Sequence, residues 1–102
     1  MVLNKKKIIY SVLREIEKGE NIPKSSDLDL SLIEFRDLID LIQDDDLIKG
    51  ASLPRDGQKN PDRMVLLNTA KITLKGSNYL EKNSSFAETY PGLKDIKPWL
   101  RL

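Results

Sequence analysis

Residues 31–67, SLIEFRDLIDLIQDDDLIKGASLPRDGQKNPDRMVLL, decide the fold. They open on Ser31-Leu32-Ile33-Glu34, the S-x-x-E pattern of a capping box, in which the hydroxyl and the carboxylate each satisfy a free backbone amide of a helix's first turn. The spacing predicts a helix to about Asp45, with Leu32, Phe35, Leu38, Ile39 and Ile42 as a broad apolar stripe facing the core. Leu47 to Ala51 reads as a short strand. Pro54, Gly57, Asn60 and Pro61 punctuate a polar loop, and Met64 to Leu67 is a second apolar run of strand length. The two runs are expected to pair antiparallel, leaving residues 52–63 as a wing.

Outward from this stretch, Asn4 can cap a helix from Lys5 to Lys18. Ile8, Ile9, Val12, Leu13 and Ile16 share one face of it, and Gly19 stands where a left-handed residue ends a helix. A connector with Pro23 leads to Ser25-Ser26-Asp27-Leu28, a candidate short second helix. On the other side, Thr73 or a neighbour can cap a helix that buries Tyr79 and Leu80. A tail over residues 84–102 is broken by Pro91-Gly92 and Pro98. Pro91 fits the first turn of a short helix, where its missing N–H costs nothing, and Leu93, Ile96, Trp99, Leu100 and Leu102 give the tail an apolar face. The order is helix, short helix, long helix, strand, wing, strand, helix, tail. That is an α+β winged-helix plan, and 102 residues make one domain of it.

The composition excludes several classes. Hydrophobic residues at 39% and charged residues at 32% describe a globular chain, not a disordered one. No apolar run approaches a membrane span, and the basic start, with Lys5, Lys6 and Lys7, is not followed by the apolar block of a signal peptide. Without cysteine there is no disulfide or thiolate chemistry, and cytoplasm is the expected compartment. Without histidine the commonest general base and metal ligand are missing. A non-enzymatic protein with no cofactor and no metal is expected. Asp44-Asp45-Asp46 does not change this, because consecutive carboxylates at a helix end point in different directions and form no cage.

Charge is unevenly distributed. From Ser31 to Asp46, six acids (Glu34, Asp37, Asp40, Asp44, Asp45, Asp46) face one base, Arg36, so the segment carries −5 and the remainder +6 against a net +1. In a winged helix that reads DNA this long helix enters the major groove, between rows of phosphates. At 100° per residue, Arg36, Asp40, Gln43 and Asp44 share its solvent side with Asp37 beside them, a poor DNA-reading face. It is either a solvated acidic surface or a partner surface that resembles nucleic acid in charge. Ile33 projects to the same side and could anchor a protein contact. The cations gather elsewhere: Lys5, Lys6, Lys7 and Arg14 in the first helix, and Lys49, Arg55, Lys59, Arg63, Lys71 and Lys75 around the hairpin. Wing cations can hold phosphates without reading bases. Trp99 and Tyr90 either cap the first helix as core or form a dimer seam.

Two stretches carry a resemblance. Ile72-Thr73-Leu74-Lys75-Gly76-Ser77-Asn78-Tyr79-Leu80 is similar to the L-T-x-K-G-x-x-Y-L passage that leaves the wing in many bacterial winged helices. The ending, Leu93 to Leu102 with Trp99, and the Lys-rich first helix resemble the YjcQ-like family of small winged-helix proteins from Gram-positive bacteria and their phages; Pro98 departs from a continuous tail helix. The resemblance implies the winged-helix fold and a phage or prophage setting, and carries over no site residue. Two functions stay open. One is a regulator that touches double-stranded DNA through Lys5, Lys6, Lys7, Arg55, Lys59 and Arg63. The other is a protein-binding winged helix whose Ile33, Asp37, Asp40 and Asp44 engage a basic surface on a host or phage protein.

Overall fold

A computed structural model describes residues 4–53 and 65–101. Helix α1 spans Lys5–Lys18. Asn4 Oδ1 accepts from the Lys7 amide at 3.2 Å, and Gly19 closes the helix at φ 71°. A 3₁₀ turn, Ser25–Leu28, leads to α2, Leu32–Asp44. The capping box forms: the Glu34 amide donates to Ser31 Oγ at 3.1 Å and the Ser31 amide to Glu34 Oε1 at 2.9 Å. Strand β1, Ile48–Lys49, and strand β2, Lys71–Ile72, make an antiparallel pair that runs directly into α3, Leu74–Lys82. Two further 3₁₀ turns, Ser84–Glu88 and Leu93–Asp95, precede α4, Ile96–Leu100. Among the described residues this is an α+β protein of four α-helices and a two-stranded sheet. No described helix is long and apolar enough to cross a membrane.

The hairpin register differs from the expected one. Ile48 pairs with Ile72 and Lys49 with Lys71, while Leu66 pairs only with Ser52 in an isolated bridge. The two segments are separated by a turn at Asn68-Thr69. Gly50, at φ 83°, accepts there from Thr69 Oγ1 at 2.7 Å, and a Cβ on it would lie 2.5 Å from the Thr69 carbonyl oxygen. The ladder is thus broken after Lys49, and the return strand that matters lies later in the chain than Met64–Leu67. Met64 itself falls outside the described residues.

Helix α1 is enclosed on most of its circumference. It buries Tyr10, Ser11 and Glu15 as well as Ile8, Val12 and Leu13. One wall is α3 and β2; the other is the tail, which folds back over Tyr10. Tyr10, Phe86, Tyr90 and Trp99 form an aromatic cluster with ring centroids 5.2–6.4 Å apart, in the tilted and edge-on arrangements that ring quadrupoles favour. Trp99 is buried and its indole N–H donates to Thr89 Oγ1 at 2.8 Å, so it is core of this chain. Pro91 stands before the Leu93–Asp95 turn and not inside a helix as expected. Pro98 occupies the first turn of α4, where amide groups have no intrahelical acceptor. The Asn4 amide donates to the Leu100 carbonyl at 3.0 Å, joining the start of α1 to the tail.

Candidate functional site

The solvent side of α2 is not the face expected from the sequence. Arg36 is buried, and its guanidinium donates to the Leu53 carbonyl at 2.6 Å. Gln43 is bound through both ends of its amide to the Ala51 backbone, at 3.2 and 2.9 Å. Chain leaving β1 therefore covers the Arg36–Gln43 side of the helix, and Asp40 is half-buried at its edge. Leu32, expected in the core stripe, is 46% exposed. Its first-turn side chain leans toward the helix start, past the layer that covers Phe35, Leu38, Ile39 and Ile42.

The exposed side consists of Ile33, Asp37, Leu41 and Asp44, with Glu34 beside them. Ile33 is 57% and Leu41 39% exposed. Ile33, Asp37 and Leu41 follow at four-residue intervals, so they form one row about 12 Å long. Leu41 escaped the sequence reading although its spacing from Ile33 is legible. Among the described residues no cation pairs with Asp37, Asp40 or Asp44. With its only base buried, the surface of α2 presents aliphatic side chains set among carboxylates.

The expected cationic set divides. Lys5 and Lys6 are exposed. Lys7 is not available as a surface contact of the expected kind: its ammonium donates to the Trp99 carbonyl at 3.1 Å and lies 4.9 Å from the Trp99 ring centroid. The tail claims it through a hydrogen bond and a cation–π contact. Arg55, Lys59 and Arg63 lie outside the described residues. Lys49 and Lys71 are exposed and directly opposite on the strand pair, so two like charges share one face. Such a pair opposes strand pairing unless an anion offsets it.

A third feature was missed. Glu15 is 2% exposed, in a stripe that Ile8 and Val12 begin at helical spacing. Its Oε2 accepts from the Tyr90 hydroxyl, and burial, followed by that hydrogen bond and the carboxylate's charge, pushes the Tyr90 hydroxyl well above its ordinary pKa. Burial alone raises Tyr79. Among the described residues no group of three or more His, Cys, Asp or Glu side chains converges as a metal site.

Comparison with known proteins adds the family. The profile of the YjcQ protein family matches residues 7–99. The YjcQ protein of Bacillus subtilis (strain 168) is 28% identical over 100 residues, covering 97% of this chain and all of the relative. No solved structure matches the chain. A match along nine-tenths of the sequence, from Lys7 of α1 to Trp99 of α4, means that the chain belongs to the YjcQ protein family.

Proposed function

We propose that this protein is a non-enzymatic winged-helix domain whose α2 binds another protein through a basic surface with apolar sockets. The single observation that carries the reading is the composition of the exposed face of α2, where Ile33 and Leu41 stand among Asp37, Asp44 and Glu34 with no exposed cation. In the winged-helix order this is the helix that would meet the major groove. Phosphates would repel this face, whereas lysines and arginines around an apolar socket complement it. Charge would speed encounter and the aliphatic anchors would slow release. The partner class includes proteins that themselves bind nucleic acid, because their basic grooves offer the complementary charge.

The test compares what the wild-type protein and two variants, Asp37→Lys and Ile33→Ala, retain from a host extract. The expected result is a retained protein that both variants lose. For the purified pair, Asp37→Lys should lower the association rate and its salt dependence, and Ile33→Ala should raise the dissociation rate. Unchanged retention by both folded variants would refute the reading.

The Lys49–Lys71 pair favours a second reading, in which the hairpin holds DNA phosphates together with Lys5, Lys6, Arg55, Lys59 and Arg63. Under it, the wild type binds generic duplex DNA with an affinity that falls steeply with salt. Replacing Arg55, Lys59 and Arg63 by alanine then flattens the salt slope by up to roughly three units. Absence of duplex binding at low salt would dispose of it.

A further inference from the structure

Glu15 is a buried carboxylate, and among the described residues no cation forms an ion pair with it. The neighbouring Arg14 turns outward and bonds Glu17 at 3.4 Å. Among the described residues the only hydrogen-bond partner of the Glu15 side chain is Tyr90, on Oε2. A buried charge is normally paired or bound to a metal. If the side chain served only to tie the tail to α1, the neutral amide of a glutamine could accept from Tyr90 without burying a charge. The carboxylate also borders two adjoining hollows. One is a cavity of about 140 Å³ lined by Ile16, Ile22, Leu67 and Ala70 together with Asn21 and Asn68. The other is a surface groove of about 710 Å³ bordered by Lys18, Lys24 and Lys94 and by Glu20 and Asp27. The small cavity thus sets aliphatic and amide side chains beside one carboxylate. Glu15 is the one acidic side chain that lines it.

We infer that Glu15 and this cavity bind a primary alkylammonium group, the aliphatic body against Ile16, Ile22 and Leu67 and the ammonium on the carboxylate. The volume suits a chain of about five heavy atoms, since a cavity of roughly 150 Å³ accommodates benzene. That chain is either a free amine or the end of a lysine side chain from another protein. The site is independent of the α2 face.

The probes are n-butylammonium chloride and 1-butanol, equal in heavy atoms and unlike in charge, titrated at constant ionic strength while the amide resonances of Gly19, Asn21 and Ala70 are followed. Butylammonium should produce saturable shifts, with 1-butanol about tenfold weaker or more. Glu15→Gln keeps the acceptor for Tyr90 and should lose that preference. Ala70→Leu fills the cavity while sparing the carboxylate and should abolish binding, which covers the case of a poorly folded glutamine variant. Lysine blocked at both backbone ends identifies the source: binding as tight as butylammonium indicates a lysine side chain, and exclusion indicates a free amine. Equal binding of 1-butanol and butylammonium, or unchanged butylammonium binding by both variants, would overturn the assignment.

Discussion

Replacing Gly76 by alanine should destabilise the fold, although the same change improves an exposed helix. The glycine lies in the first turn of α3, where the helix leaves the strand pair. A Cβ there would stand 2.1 Å from the Leu47 carbonyl oxygen and 2.7 Å from Ile72 Cγ1. Ordinary contacts between non-bonded heavy atoms are near 3.5 Å, so more than about 1 Å of movement is required. The Leu47 oxygen cannot turn aside freely, because it accepts from the Thr73 amide at 3.2 Å. Relief means lifting the start of α3 off β1. Overpacking costs about 1–3 kcal/mol and the weakened hydrogen bond about 1 kcal/mol. Better helix propensity offsets up to about 1 kcal/mol. The expected loss is therefore about 1–3 kcal/mol, read as a lower urea midpoint with an unchanged slope. Gly19→Ala is the control: its Cβ meets nothing within 4 Å, and only the left-handed backbone at φ 71° is strained, for about 1–2 kcal/mol. A Gly76→Ala protein as stable as wild type would refute the close approach of α3 to β1.

Ile33→Ala and Leu41→Ala should each leave stability within about 0.5 kcal/mol, while Ile39→Ala, in the core, should cost about 2–5 kcal/mol by chemical denaturation. Lys71→Glu should stabilise the hairpin by about 0.2–1 kcal/mol through a cross-strand pair with Lys49, and should weaken any duplex binding; a loss of stability would contradict the register. The Tyr90 hydroxyl ionises in the unfolded chain near pH 10.0 and only at higher pH in the fold. The stability it supplies is therefore complete below that value and declines as pH rises above it. Tyr90→Phe should show a shallower alkaline decline in pH-dependent urea unfolding.

Helix ends and the order of the helices were legible because their causes are local. Asn4, Gly19, Ser31 with Glu34, and Thr73 all cap as their side chains and neighbours dictate. The strand register was not, because it depends on a break at Gly50 and Asn68-Thr69 that no alternation records. Nor was the covered side of α2. A helix with Arg36 and Gln43 on one flank looks solvated until the chain beyond β1 supplies carbonyls and an amide for both. The single apolar stripe read in α1 was too narrow for the same reason, since the tail adds a second wall over Tyr10. Leu41 and Glu15 were different: each sat at a spacing already in use, one continuing the exposed row and the other interrupting an apolar one.

The aromatic cluster also makes the molecule its own optical gauge. Its one tryptophan is Trp99, held in the tail with Tyr10 of α1 and beneath the Lys7 ammonium. Indole emission therefore follows the undocking of the tail from α1, whereas far-ultraviolet circular dichroism follows chiefly the two long helices. Coincident transitions would make the tail part of one cooperative unit. An emission change at lower denaturant would reveal a form with α1 uncovered and the remainder folded.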